Sequence, residues 1–365
     1  MTPADQTLPV YRLAEGVRAY RSGEEIRIRK GVWNHKEAIV RLTGLEERDA
    51  RALNAVCDAL LQGKDADLNA IASELSITPE DIGPVCGLLE SLKAQQFLHD
   101  TKQKDISEAI RALLGGNLTG FEERAAAPRP VLFFSDNDYS KGAAKTLAGE
   151  IGLPLDVIDD ETMKALSVAD LTSRTDAVEY MQTVEKFEKI FKSYRCVLGV
   201  VASPNLSLLR NLNRLLVRME KPLILGLVDG PFLCALSTLA TETGCFECFE
   251  QRMLARLEDT VVYHQFVQAT GSGANAGGPW LSPQLHTLTA TVISEAFLYS
   301  TLSMMRLAGR IVSVYQPLLE IQVQDLLRVP YCPACGYISK SQVDEMYTSS
   351  KRIMIDMMAK IEVEG

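Results

Sequence analysis

Two pairs of cysteines have the spacing of metal-binding knuckles. Cys245 and Cys248 form one Cys-x-x-Cys pair, and Cys332 and Cys335 form the other. Each pair can turn two sulfurs toward one ion, and a structural Zn²⁺ takes four such thiolates in a tetrahedron. An all-thiolate site has no position for a reactive water, so the spacing predicts a structural rather than a catalytic zinc ion. A redox-active dithiol and four unpaired thiols are the alternatives.

The remaining cysteines stand singly in or near apolar runs, where we expect buried, inert thiols; they are Cys57, Cys86, Cys196 and Cys234. The N-terminus lacks the basic-then-apolar layout of a secretion signal, so the cytoplasm is the expected compartment. In that compartment cysteines point to metal or free thiols rather than to disulfides. No uncharged apolar run is long enough for a membrane span, and none is expected.

Composition predicts a globular protein that does not bind nucleic acid. The chain has 365 residues, which indicates two domains or one domain with a large extension. With 47% hydrophobic and 23% charged residues it can bury an ordinary core. Its formal net charge of −9 opposes binding to a phosphate backbone.

The first hundred residues predict a winged helix-turn-helix domain, residues 1–100. Three strands are expected over Pro9–Tyr20, Glu24–Arg29 and Glu37–Leu42. Three helices follow, each with an apolar face at helical spacing. The third is expected to begin where Thr78 can cap the helix and Pro79 can occupy its first position.

Residues 129–365 predict an α/β domain, joined to the first by a connector over residues 101–128. Short apolar strands alternate with helices from Val131 to Val228, which is typical of a largely parallel sheet. Gly271–Gly278 is expected to be a flexible surface loop or lid rather than a second phosphate loop, because no Lys-Ser/Thr follows it to bind phosphate. A last strand-like run, Ile311–Gln324, leads to the second cysteine pair and a methionine-rich final helix.

The α/β region resembles the ThiF/MoeB and ubiquitin-activating-enzyme superfamily over about residues 129–340. The resemblance depends on the two cysteine pairs and on Ser203-Pro204-Asn205, Asn213 and Lys221-Pro222-Leu223-Ile224. It implies a ThiF-like fold and a homodimer formed through this domain. Family members activate a carboxyl group with ATP, and here the departures from the family pattern fall in that machinery.

The expected phosphate loop reads Ser135-Asp136-Asn137-Asp138, in which aspartates replace the glycines that let a backbone approach phosphate. The family's nucleotide-binding aspartate corresponds to Pro204, and Arg210 lies one residue later than the family's arginine. ATP is therefore not an expected cofactor.

Carboxylates also follow the predicted parallel strands, where α/β ligands often bind. Asp136, Asp138, Asp159 and Asp160 would form a cation or amine site there, or simply cap helices. The four histidines are scattered and predict no nucleophile–base pair.

Charge within the N-terminal domain favours a peptide over DNA. Residues 64–100 hold two basic and seven acidic residues, a net of −5 on the helices that would enter a groove. Residues 10–42 hold eight basic and four acidic residues, a net of +4. A small sheet with a free edge can add an extended peptide as another strand. The expected contacts are Arg27, Arg29, Ala38, Ile39, Val40, Arg41, Val85, Leu88 and Leu89.

The arginines among these residues would attract an acidic leader sequence, or would merely solvate the strands. Together the two domains resemble the recognition components of ribosomally synthesised, post-translationally modified peptide (RiPP) pathways. The resemblance extends both to the leader-binding proteins of azoline-forming cyclodehydratases, which act with a YcaO-type ATPase, and to the peptide-binding proteins of crocagin biosynthesis. It implies a non-catalytic scaffold whose partners are a precursor peptide and a tailoring enzyme. An ATP-dependent adenylating or cyclodehydrating enzyme and a zinc-containing transcription regulator are the alternatives.

Overall fold

The computed structural model describes residues 8–33, 36–42, 44, 46–78, 82–101, 106–115, 124–171, 177–239, 242–269 and 279–336. Contacts divide the chain into two compact units, Met1–Thr119 and Gly120–Gly365. The expected connector contains a helix of its own, Ile106–Leu113. The domain limits inferred from the sequence stay predictions.

Within its described residues, the first unit holds two small antiparallel sheets and four helices. Its elements are β1 (Val10–Leu13), β2 (Val17–Ser22), β3 (Glu25–Lys30), β4 (Lys36–Arg41), α1 (Glu47–Leu61), β5 (Ala66–Asp67), α2 (Leu68–Leu75), α3 (Gly83–Ala94), β6 (Leu98–Asp100) and α4 (Ile106–Leu113). One sheet has the order β5-β1-β6 and the other β2-β3-β4. Ile26 and Ile28 of β3 and Val40 of β4 alternate into the core beneath the second sheet.

Two sequence expectations in this unit were wrong in detail. The expected strand Pro9–Tyr20 is two strands in different sheets, because Gly16 takes a positive φ of 73° and turns the chain between them. The third helix begins at Gly83, with a proline in its first turn, rather than beside Thr78. Pro79, which was expected to start that helix, lies outside the described residues.

The second unit is built on a mixed sheet of seven strands. Its elements are β7 (Val131–Ser135), α5 (Asp138–Ile151), β8 (Leu155–Val157), α6 (Asp160–Val168), α7 (Ala177–Phe191), β9 (Val197–Val201), α8 (Leu206–Arg218), β10 (Leu223–Asp229), β11 (Phe232–Thr238), α9 (Phe246–Leu254), α10 (Thr260–Ala269), α11 (Ser282–Leu302), β12 (Arg310–Tyr315) and β13 (Glu320–Asp325). The strand order is β13-β12-β11-β10-β9-β7-β8.

The largely parallel sheet that the sequence predicted is parallel only from β8 to β10. A tight turn at Gly230 and Pro231 folds β11 back on β10, so these strands are antiparallel. The run Ile311–Gln324, expected as one strand, is the hairpin β12–β13. Leu319, with a φ of 53°, lies in its turn.

Helices cover both faces of this sheet. The apolar sides of α6, α7 and α8 bury one face. The helices α5 and α11 lie against the other face. A Cβ on Gly226 would lie 3.1 Å from the Cβ of Leu288 on α11, so a larger residue at position 226 would push Leu288 outward. None of the described helices, α11 included, is long and apolar enough to cross a membrane.

Candidate functional site

The four predicted ligand cysteines lie together in the second unit. Cys245 and Cys248 are at the start of α9, and Cys332 and Cys335 lie in a turn far along the chain. The Sγ–Sγ distances are 3.6 Å for Cys245–Cys332, 3.4 Å for Cys248–Cys335 and 3.9 Å for Cys245–Cys248. All four sulfurs lie within 4.8 Å of one another and are buried.

This geometry fits a tetrahedral metal ion. Zinc–sulfur bonds of about 2.3 Å place tetrahedral sulfurs about 3.8 Å apart, close to the spacing found. Hydrogen bonds with Cys248 and Cys332, together with burial, raise the pKa of Cys245 in the absence of a cation. A divalent ion would supply the charge that lets all four thiols ionise. The cluster is therefore a candidate metal site with a complete set of protein ligands.

Glycines beside each knuckle permit its tight backbone. A Cβ on Gly336 would lie 2.4 Å from the carbonyl oxygen of Cys332, and one on Gly244 would lie 2.8 Å from that of Leu327. Both neighbours are backbone carbonyl oxygens, which cannot shift without distorting the chain. Replacing either glycine would therefore push a cysteine out of position.

Two N–H groups donate to the cysteine sulfurs. The side-chain amide of Asn213 lies 3.5 Å from Cys245 Sγ, and the backbone N–H of Val329 lies 3.3 Å from Cys248 Sγ. Asn213 also accepts from the backbone N–H of Phe246 at 3.0 Å. Such donors favour the thiolate form and fix its direction. Asn213 stood in the family-like motif, whereas Val329 had no sequence signal.

A buried ion pair holds the first knuckle against α8. Glu247, between the two cysteines, accepts from Arg214 Nε at 2.9 Å and from Arg214 Nη2 at 3.0 Å. The side chains are 4% and 16% exposed, respectively. Sequence analysis missed this pair. The signal that could have predicted the pair is the glutamate inside the Cys-x-x-Cys loop, because a carboxylate buried there needs a partner of opposite charge.

At the carboxyl ends of the parallel strands, the side chain of Asp136 accepts hydrogen bonds from backbone N–H groups. Its carboxylate accepts from the N–H of Ala202 at 3.0 Å and of Ser203 at 2.7 Å, just after β9. Asn137 caps α5 by accepting from the N–H of Ser140. Asp136 thus places negative charge where the family resemblance located the phosphate loop.

The other strand-end carboxylates cap helices or pair with lysine. Asp159 caps α6 through the N–H and hydroxyl of Thr162, as the capping alternative expected. Lys141 lies 2.8 Å from Asp160 and 3.5 Å from Asp138. No metal cluster forms from these carboxylates within the described part of the chain.

The basic residues of the family-like segment also have partners. Arg210 makes hydrogen bonds of 2.7 to 3.1 Å with Glu250, which also accepts from the Tyr263 hydroxyl. Lys221 donates to the carbonyls of Lys192 and Tyr194, and burial lowers its pKa. The side chains of Arg210 and Lys221 therefore both have hydrogen-bond partners within the second unit.

The predicted peptide contacts lie on two different faces. Arg27, Arg29, Ile39 and Arg41 are on the outer face of the β2-β3-β4 sheet, whereas Ala38 and Val40 face the core. Val40, Val85 and Leu89 are at most 3% exposed, so their side chains support the surface rather than form it. Leu88 is partly buried against the same core, and Ile39 is 45% exposed.

The outer-face arginines are largely neutralised. Arg27 pairs with Glu25 at 3.0 Å and Glu37 at 3.1 Å, and Arg41 pairs with Glu25 at 3.0 Å. Hydrogen bonds from Arg41 and Arg27 hold the pKa of the Glu25 carboxyl below its ordinary value. Arg29 donates to the carbonyl of Val32 at 2.6 Å. The attraction expected for an acidic leader is weaker than a count of arginines suggested.

The β4 edge runs beside the end of α3. Lys36 Nζ donates to the Gln95 carbonyl at 3.2 Å and lies over the Phe97 ring. Just before β4, Val32 and Trp33 are 67% and 93% exposed. In the described residues β4 pairs only with β3, so its other edge has no strand beside it.

Several candidate features lie beyond what the structure describes. They are His35, the Gly271–Gly278 loop and the methionine-rich segment with Met346, Met354, Met357 and Met358. Of the described histidines, His286 Nδ1 lies 3.4 Å from the Tyr139 hydroxyl. The His264 and Tyr263 rings form a T-shaped pair with centroids 5.7 Å apart.

The chain matches no model of a known protein family and no curated protein sequence. Solved structures match over 89–90% of its length. A heterocyclase in complex with substrate and cofactor has 15% identity and a TM-score of 0.56, and the heterocyclase TruD has 16% and 0.55. This chain is similar in fold to a heterocyclase. It spans about two fifths of those chains, 39% and 43% of their lengths. E. coli MccB also matches, at 12% identity, a TM-score of 0.43 and 97% of its length.

Proposed function

We propose that this protein binds the leader of a ribosomally synthesised precursor peptide and presents the peptide's core to a separate modifying enzyme. The observation that carries this proposal is the outer edge of β4, which has no strand beside it in the described residues. Similarity of fold to a heterocyclase solved with its substrate supports a role in such a pathway. The first unit, in this proposal, is a winged-helix peptide-recognition module.

Affinity would come mainly from backbone hydrogen bonds between an extended leader and β4. Ile39, exposed on this strand, offers apolar contact at that edge. Leu88 of α3, partly buried against the core of the same unit, would offer a second apolar contact. The paired arginines, Arg27 and Arg41, leave little net charge to select an acidic peptide. Apolar leader side chains would therefore supply more of the binding energy than acidic ones.

We propose Zn²⁺ as the ion of the four-cysteine cluster. Four thiolates in a closed tetrahedron suit zinc and leave no position for a substrate. Its role would be to fasten the start of α9 to the turn around Cys332 and Cys335. In this proposal zinc supplies stability to the second unit and no chemistry.

The absence of ATP chemistry is also part of the proposal. Asp136 uses its carboxylate on the Ala202 and Ser203 N–H groups, which makes the strand ends unfavourable for a triphosphate. An ATP-dependent adenylating or cyclodehydrating component is the second candidate. The same fold similarity favours it, because the matched heterocyclase was solved with a cofactor.

Isothermal titration calorimetry of the full chain with the precursor peptide encoded beside its gene separates the two candidates. Nucleotide-independent binding of the intact precursor, retained by the isolated leader and lost with the isolated core, supports the scaffold. Binding that requires Mg-ATP, or release of phosphate or pyrophosphate on adding peptide, supports the enzyme. No binding under either condition contradicts both.

A further inference from the structure

Two large apolar side chains, Val32 and Trp33, lie in water directly before β4. Their exposed fractions are 67% and 93%. Gly31, with a φ of 84°, turns the chain out of β3, and Arg29 Nη2 donates to the Val32 carbonyl at 2.6 Å. This hydrogen bond holds the backbone just before Trp33, so the indole is presented at the beginning of β4. Apolar surface of this size is unfavourable in water, and tryptophan is enriched where proteins bind partners.

Ile39 is a further exposed apolar residue of the same edge. Tyr20, Arg27 and Ile39 lie opposite one another on successive strands, so they form one row on the outer face of the sheet. Glu37 accepts from Arg27 and from the Tyr20 hydroxyl, which leaves the Tyr20 ring and the Ile39 side chain as the apolar ends of the row. A fourth strand beside β4 would place one of its side chains next to Ile39 on this face.

The direction of an added strand follows from the sheet. Both strand pairs are antiparallel, and antiparallel pairing is slightly the more stable per residue. A peptide added to β4 is therefore expected to run from the Arg41 end toward the Lys36 end. Its C-terminal side then leaves the edge at Val32 and Trp33. In an extended chain, the residue that reaches Trp33 lies about six positions after the one beside Ile39.

We propose that Trp33 and Val32 bind a second apolar side chain of the leader, C-terminal to the stretch that pairs with β4. This inference rests on the proposed function and names the class of leader that the site takes. Such a leader has one apolar side chain beside Ile39 and a second, aromatic or long aliphatic, about six residues later. Backbone hydrogen bonds to β4 do not depend on the leader's sequence, whereas two apolar contacts at a fixed separation select one register and one direction. Trp33 is then the residue that decides which leaders the edge accepts.

The fluorescence of single-tryptophan proteins tests this contact. Trp33 and Trp280 are the two tryptophans of the chain, and both are almost fully exposed, at 93% and 89%. Trp280→Phe leaves Trp33 as the only indole, and Trp33→Phe leaves Trp280. When a synthetic leader without tryptophan is titrated into full-length Trp280→Phe, the emission of Trp33 is expected to shift to shorter wavelength, because the peptide displaces water from the ring. Trp33→Phe should show no shift.

Calorimetry on the same samples separates this inference from the proposed function. Leader binding without a shift of Trp33 emission overturns the inference and leaves leader binding in place. No binding overturns both. A shift that appears as the protein concentration rises, without leader, identifies a second copy as the occupant and also overturns the inference.

Alanine substitutions locate the second contact on the leader. Trp33→Ala is expected to raise the dissociation constant of the leader at least about tenfold, and Trp280→Ala to leave it unchanged. Among leaders with one apolar residue changed to alanine, one should bind Trp33→Ala no more weakly than the unaltered leader does, because both changes remove the same contact. Its altered residue should lie C-terminal to the residue coupled in this way to Ile39→Ala. The opposite order, or no coupled residue, overturns the placement.

Discussion

The guanidinium of Arg214 donates two hydrogen bonds, of 2.9 and 3.0 Å, to the carboxylate of Glu247 inside the first cysteine knuckle. A third bond joins Arg214 Nη1 to the carbonyl of Leu171 at 3.1 Å. One arginine on α8 therefore connects the cysteine cluster to the loop after α6. A buried carboxylate without this partner would destabilise the first knuckle.

Replacing Arg214 with alanine should destabilise the second unit by about 3 to 5 kcal/mol, because it leaves Glu247 buried without its partner. Urea unfolding of the full chain measures the change. Arg218→Ala is the matched control on the same helix. Its pair with Glu188 is 44% and 30% exposed, so its loss should cost about 0 to 1 kcal/mol. Equal effects of the two substitutions would contradict the role given to Arg214.

Removing one cluster cysteine should release the metal. The purified protein is expected to hold one zinc ion per chain by elemental analysis, and Cys245→Ser is expected to lose it and to unfold more readily. Cys196→Ser changes a buried cysteine outside the cluster and should keep its zinc. Zinc retained at full occupancy by Cys245→Ser, or absent from the unaltered protein, would refute the assignment.

Alkaline pH should weaken the first unit through Cys57. Burial raises the pKa of the Cys57 thiol to about 11 from an ordinary value of 9.0. Between these values the unfolded chain releases a proton that the folded chain keeps. Stability is therefore complete below about pH 9 and falls as the pH rises toward 11, by up to about 1.4 kcal/mol per pH unit.

Urea unfolding from pH 8 to 10.5 measures this slope, and Cys57→Ala should reduce it. A variant with the same slope as the unaltered protein would show that other groups set the alkaline limit.

Local chemistry made the cluster of four cysteines predictable. Cys-x-x-Cys spacing is fixed by the geometry of one turn, so all four cysteines could be named before the fold was known. The contacts around them join residues far apart in the chain, such as Val329 N–H to Cys248 Sγ, and depend on how α8, α9 and the last turn meet. No local sequence pattern predicts how these three elements pack together.

Sheet direction was misjudged although its signals were present. Gly230 and Pro231 separate two apolar runs by a turn too short for a parallel crossover. Gly16 likewise separates β1 from β2. The alternation of apolar and polar residues had predicted a single strand there. For the peptide surface, the sequence shows how many arginines β3 and β4 carry. Only the register of these strands shows that Glu25 and Glu37 lie close enough to neutralise them.

The most direct test of peptide recognition at β4 is calorimetric titration of the leader into Ile39→Asp. Ile39 is exposed, so the substitution should leave the fold intact while placing a charge beside the bound peptide. Val168→Asp, at the exposed end of α6, is the matched control. The account predicts that Ile39→Asp weakens leader binding at least about tenfold, without Mg-ATP, and that Val168→Asp leaves it unchanged. Unchanged binding by a folded Ile39→Asp protein would contradict it.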